Sequence, residues 1–150
     1  MISAVKADQL PRELLLAADP DWSIVQKYLE HAACYAEWVD DQIVGLIVLT
    51  SRDATTYEVQ NLAVAPSYQH RGIAKRLLAF AIQRCRQDKT CQTLWVGTGN
   101  SSLRQLALYQ HAGFEMQTVL VDYFVDNYPE PIYEDGLQCK SMVRLCIKTN

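Results

Sequence analysis

From Leu62 to Ala74 the chain reads Leu-Ala-Val-Ala-Pro-Ser-Tyr-Gln-His-Arg-Gly-Ile-Ala. An apolar run ends at Pro66, and a helical period begins just after a glycine set among basic residues. A helix N-terminus offers unpaired N–H donors and about half a positive charge, so it attracts anions. Gly72 has no Cβ to hold the backbone away from a diphosphate, and the small Ala74 lets the turn pack beneath one. Arg71, Lys75 and Arg76 add charge where a further phosphate would lie. The segment has neither the G-x-G-x-x-G fingerprint nor a G-K-[ST] sequence, so it matches no dinucleotide fold or P-loop.

The elements that must position this turn follow from the hydrophobic period. Ser3–Lys6 reads as a first strand, and Leu10–Ala18 and Asp21–His31 as two short helices, with Asp19 and Pro20 as cap and first residue of the second. Cys34–Val39 and Gln42–Thr50 read as strands joined at Asp40-Asp41 by a tight hairpin turn. Thr55–Ala65 is a third β-rich run. Ile73–Arg86 is an amphipathic helix with Ala74, Leu77, Leu78, Ala81 and Cys85 on one face. Thr93–Thr98 is a buried strand and Ser101–His111 a second amphipathic helix closed by Ala112-Gly113. Glu115–Val125 and Lys140–Lys148 are two final strands around a loop rich in Pro, Tyr and acids. This order predicts an α+β fold on one mixed sheet, within one domain for a chain of 150 residues and 17.0 kDa.

Composition narrows the function. The longest apolar run, Ile43 to Leu49, is far short of the roughly 20 residues that span a bilayer, so no membrane partner is expected. No signal-like stretch opens the chain, and the five cysteines are odd in number and never spaced as CxxC. They are expected as reduced thiols of a cytoplasmic protein, with no metal site. A net charge of −3 disfavours nucleic acid as partner. The charge is uneven: residues 69–89 hold six basic residues against one acid, whereas 105–139 hold six acids and no Lys or Arg.

Gln69-His-Arg-Gly-Ile-Ala74, preceded by Leu-Ala-Val and followed by Lys-Arg-Leu-Leu, resembles motif A of the GNAT family of acetyl-CoA-dependent N-acetyltransferases, Q/R-x-x-G-x-G/A. Leu108-Tyr-Gln-His-Ala-Gly-Phe114 resembles the family's L-Y-x-x-x-G-F. The resemblance runs from about Cys34 to the end, and residues 131–145 look like a subgroup of bacterial members. It implies the GNAT fold: a mixed, mostly antiparallel sheet of six to seven strands with four helices, splayed at its central parallel strands. It also implies acetyl-CoA as co-substrate. The backbone of Leu62, Ala63 and Val64 would then bond the pantetheine arm. Gln69 leads the motif, and the amides of His70, Arg71, Gly72, Ile73, Ala74 and Lys75 would hold the diphosphate. Family members often place Asn seven residues before the motif tyrosine, where this chain has Ser102; Asn100 lies nine before it, and either would contact the cofactor.

Acetyl transfer needs a neutral amine, and an alkyl ammonium with a pKa near 10.4 is no nucleophile at pH 7. A carboxylate can remove its proton directly or through water. Glu58 lies four residues before Leu62, where family members with an identified glutamate base carry it, and it would act as base or orient the amine. Tyr109 of the second motif would protonate the departing thiolate. A backbone N–H near Leu62 or Ala63 would polarise the thioester carbonyl. No covalent enzyme intermediate is required. The basic run would surround the CoA phosphates. The acid-rich run, which borders the acceptor site in this family, would suit a cationic primary amine held by Asp126, Tyr128 and Glu130. A solvated loop or a homodimer contact would suit the same acids. The alternative to an enzyme is a non-catalytic acyl-CoA sensor, which would have no need of a carboxylate at position 58.

Overall fold

The computed structural model describes all 150 residues, and their contacts cluster into two compact units. The first unit, residues 1–94 with Thr149 and Asn150, carries β1 (Ile2–Val5), α1 (Arg12–Ala18), α2 (Trp22–Leu29), β2 (Ala32–Val39), β3 (Gln42–Ser51), β4 (Thr56–Val64) and α3 (Ile73–Gln87). Strands β1 to β4 lie in chain order, each antiparallel to the next. Asp40 and Asp41 both take positive φ (48° and 63°), and Val39 faces Gln42, so a two-residue turn joins β2 to β3. Short polar side chains tolerate that left-handed backbone better than most.

One side of this sheet packs Leu46, Val48, Ala36, Cys34 and Ala63 against Leu14, Leu15 and Val25 of the α1–α2 layer and Leu10 just before it. Ile73, Leu77, Leu78, Ala81, Ile82 and Cys85 form the buried stripe of α3, at helical spacing. Gly45 of β3 lets that helix come close, because a Cβ there would stand 2.8 Å from Ile73 Cγ2 and 3.1 Å from Leu77 Cδ1. The first turn of α3, where the basic residues begin, is thereby held on the sheet.

The second unit, residues 95–148, contains most of β5 (Thr93–Gly99), α4 (Leu103–His111), β6 (Glu115–Leu120), α5 (Tyr123–Asn127), β7 (Ile132–Glu134), β8 (Leu137–Cys139) and β9 (Met142–Lys148). Its strands run in the order β5-β9-β6, with β6 antiparallel to β9. With β5 beside β4 in parallel, the sheet has seven strands and is otherwise mostly antiparallel. No helix is long and apolar enough to cross a membrane.

Three local expectations change. The second helix is capped by Asp21, not Asp19: the Asp21 carboxylate accepts from the amides of Ser23 and Ile24. The long strand expected from Glu115 stops at Leu120, because Asp122 turns left-handed (φ 59°) and a fifth helix begins at Tyr123. The expected loop contains a small hairpin, β7–β8, turned at Asp135-Gly136 with both φ positive. The expectation of four helices therefore rises to five.

Candidate active site

In the first unit, the chain leaves β4 through a 3-10 turn, Pro66–Tyr68, and enters α3 through His70 (φ 64°) and Gly72 (φ 80°). The two left-handed residues bend the backbone sharply into the helix. Gly72 is the N-cap of α3 and supplies no side-chain cap, so the opening N–H groups keep no partner of that kind. Gln69 braces the turn from outside, its Nε2 donating to the carbonyl of Val64 at 3.1 Å. The Arg71 guanidinium lies 5.1 Å over the ring of Tyr68.

Arg76 ties the turn to the sheet. Its Nη2 meets Glu37 Oε1 at 2.9 Å, and its Nη1 donates to the Arg71 carbonyl at 3.2 Å. Glu37, on β2, is buried and also takes the N-terminal ammonium at 2.7 Å. Arg76 is thus a strut between β2 and the turn. Burial alone would raise the Glu37 carboxyl, but the hydrogen bonds and charges of the ammonium and Arg76 prevail and lower it. Sequence reasoning passed over Glu37; a carboxylate in the otherwise apolar run Cys34–Val39 was its only signal.

On β4, Glu58 is buried and one of its oxygens meets Arg52 Nη1 at 2.9 Å. Val48 of β3 faces Asn61 and Leu49 faces Val59, so Gln60 is an extra residue in a bulge. The expected pantetheine segment, Leu62–Val64, follows the bulge and pairs with Ile47, Leu46 and Gly45.

In the second unit, Tyr109 is buried on α4 with its ring edge-on to Phe114 at 5.8 Å. Burial raises its phenol above 10.0, so it stays protonated at neutral pH. The two candidate cofactor contacts are both tied into this unit. Asn100 Oδ1 accepts from the amides of Lys140 (2.8 Å) and Ser141 (3.0 Å), and its Nδ2 donates to the Gln138 carbonyl. The Ser102 hydroxyl donates to Glu134 Oε1 at 2.7 Å, fixing the start of α4 to β7. Asp126 is exposed on α5, and Tyr128 just beyond it packs on Phe124 at 5.6 Å; Phe124 also meets Tyr123 edge-on at 5.2 Å. Glu130 is exposed in the following loop.

All five cysteines are free, and burial pushes the thiols of Cys34 and Cys85 up to about 11 and about 12, so neither is a thiolate nucleophile. No group of three or more His, Cys, Asp or Glu side chains gathers to hold a metal.

The mixed sheet, and the turn without a side-chain cap between β4 and the next helix, fit a transferase that handles an acyl-CoA. The profile of the acetyltransferase (GNAT) family matches residues 6–114, and the chain belongs to that family. It is an acetyl-CoA-dependent acyltransferase, with acetyl-CoA as co-substrate. Over 133 residues, 89% of this chain and 85% of the relative, it is 44% identical to the uncharacterized N-acetyltransferase YvbK of Bacillus subtilis. A GNAT family acetyltransferase from Elizabethkingia anophelis, solved with acetyl-CoA bound, superposes with a TM-score of 0.94 at 38% identity, covering 99% of this chain and 97% of that one. A structure described as an IAA acetyltransferase from Bacillus cereus has the same TM-score at 36% identity, covering 99% and 98%.

The Glu37 strut has a pH signature. Its carboxyl is lowered in the folded protein, so its stabilisation is complete above the unfolded value of 4.5 and is lost as pH falls through the folded value. Glu37→Gln is expected to cost about 1–3 kcal/mol at pH 7, as charged hydrogen bonds do. In urea titrations at pH 7 and pH 3, the gap between wild type and variant should shrink at the lower pH.

Proposed function

We propose that the chain acetylates a primary amine of a cationic small molecule or peptide by direct attack within a ternary complex. The carrying observation is the left-handed entry into α3 at His70 and Gly72, which leaves the helix's first amides without a side-chain cap. Those amides, from His70 through Ile73 and Ala74 to Lys75, receive the CoA diphosphate, with Arg71 and Lys75 adding charge and Gln69 holding the turn. The backbone of Leu62, Ala63 and Val64 takes the pantetheine arm like an added strand. Asn100 and Ser102 shape the cofactor side of the second unit, and the whole chain works as one acetyltransferase domain.

Glu58 takes a proton from the ammonium, and the freed nitrogen attacks the thioester carbonyl, whose oxygen a backbone N–H near Leu62 or Ala63 stabilises. The C–S bond breaks as the N–C bond is completed, and Tyr109 gives its proton to the leaving thiolate. The buried phenol arrives protonated, as an acid must. Arg52 fixes the direction of the Glu58 carboxylate through one oxygen.

The absence of any Lys or Arg between 105 and 139, with Asp126, Glu130 and the aromatic group around Tyr128, supports a cationic acceptor. An acidic chain with no dominant basic face favours a small-molecule or peptide acceptor over nucleic acid. A cytoplasmic location and a homodimer both suit the reading.

Two experiments test it. Thiol release from acetyl-CoA is measured against polyamines, aminoglycosides, amino acids and short peptides, with variants alongside. Glu58→Gln should lose about 10²-fold or more in kcat and Tyr109→Phe a comparable factor, with acetyl-CoA affinity retained. Unchanged kcat in Glu58→Gln removes it as base. Reversing Asp126 and Glu130 to Lys should raise the acceptor KM several-fold and leave the acetyl-CoA KM unchanged; an unmoved acceptor KM sinks the acidic-site idea.

A further inference from the structure

Asn61 is a polar residue where β4 meets the α1–α2 layer. Its neighbours there, Ala63 on its own strand and Val48 and Leu46 on β3, are apolar and buried, and Asn61 itself is only 2% exposed. Both N–H groups of its amide are used: Nδ2 donates to the Leu15 carbonyl at 3.0 Å and to the Tyr28 hydroxyl at 2.9 Å. A backbone carbonyl can only accept, so the nitrogen end of the amide is the one facing α1 and α2. The other end, Oδ1, is closed off from solvent and has no hydrogen-bond partner. Leaving a buried amide oxygen unpaired costs about 1–3 kcal/mol, which an apolar residue at this position would avoid.

The amide is also polarised. The Tyr28 hydroxyl accepts from Asn61, and the carboxylate of Asp19, in the turn between α1 and α2, is near enough to raise the phenol. Burial and the neighbouring Asp19 outweigh the Asn61 hydrogen bond and keep that phenol protonated. A negative charge beside the phenol makes its oxygen a stronger acceptor, so the Asn61 amide that donates to it is polarised toward Oδ1.

The bulge gives this oxygen its place. Residues three apart on a regular strand point to opposite faces. Here Asn61 faces Val48 and Glu58 faces Thr50, two residues apart on β3, so the extra Gln60 brings Asn61 and Glu58 onto one face, next to each other along the strand.

We propose that Asn61 binds the acceptor: its Oδ1 takes a hydrogen bond from an N–H of the incoming primary amine and holds that nitrogen beside Glu58, with Tyr28 and Asp19 as the positioning residues that aim and polarise the amide. The inference rests on the acetyl-transfer reading above and adds to it the group that recognises the amine. It also sets a size limit. An oxygen this enclosed admits a small donor when its neighbours give way, and a quaternary nitrogen, which has no N–H, satisfies nothing there.

The test follows the side-chain resonances of Asn61 by NMR in the full chain, with and without CoA, while n-propylamine is added; N,N,N-trimethylpropylammonium is the control. The Asn61 signals should shift saturably with the amine and stay still with the quaternary ion. Tyr28→Phe and Asp19→Asn should each weaken the amine titration at least three-fold. In turnover they should raise the acceptor KM by a similar factor and leave the acetyl-CoA KM unchanged, which a purely structural tie between α2 and β4 would not do. Asp19→Asn, at a partly exposed turn, retains the fold if Tyr28→Phe does not. Asn61 signals that ignore the amine, that move equally with the quaternary ion, or that titrate alike in wild type and Asp19→Asn overturn the proposal. If the signals move as expected but no amine in the thiol-release panel is acetylated, the amine-binding residue stands and the acetyl-transfer reading fails.

Discussion

The chain enters α3 through a backbone that most residues avoid, and several contacts of the first unit hold that backbone in place. His70 and Gly72 take left-handed φ values within three residues, and His70 does so with a Cβ, at a cost of order 1 kcal/mol. Several contacts hold the turn against that cost. Gly45 lets α3 seat directly on β3, Gln69 ties the turn to β4, and Arg76 links its carbonyl at Arg71 to the buried Glu37 on β2. The positive charge near the helix start is thereby divided. Arg76 is engaged by Glu37, whereas Arg71 lies over the ring of Tyr68.

The same economy recurs where chemistry is expected. Glu58, a candidate base, is aimed by Arg52 across the turn between β3 and β4. Tyr109 is kept neutral by burial alone. The bulge at Gln60 changes which residues of β4 share a face, and so puts Glu58 and Asn61 on the same one. In the second unit, Asn100 and Ser102 spend their polar groups on the segment from Glu134 to Ser141, which orders a stretch that otherwise has little apolar content to fold around.

Much of this was legible in the sequence because it depends on local rules. Pro66, Gly72 and the apolar period after them mark a strand, a turn and a helix whatever the rest of the chain does, and Asp40-Asp41 marks its hairpin. The two motifs in residues 69–74 and 108–114 carried the family. What escaped reading depends on partners distant in sequence. Nothing near Arg76 says that Glu37 will claim it, and nothing near Asn61 names Tyr28, 33 residues earlier. The bulge at Gln60 has no glycine to announce it. Between 121 and 139, aromatic and acidic residues masked both a short helix and a hairpin, although Asp135-Gly136 is a turn signal that a stricter reading would have used. Asp19 and Asp21 are equally good caps by type, and only the geometry chooses Asp21.

The central claim is that the turn from Gln69 to Lys75 is where the CoA diphosphate sits. It is tested most directly by following backbone amide resonances while CoA is titrated into the wild-type protein. The largest shifts should fall on His70 to Lys75, with a second group at Leu62 to Val64 on the strand before it. Saturable CoA binding that leaves the amides of residues 70–75 unmoved would contradict it.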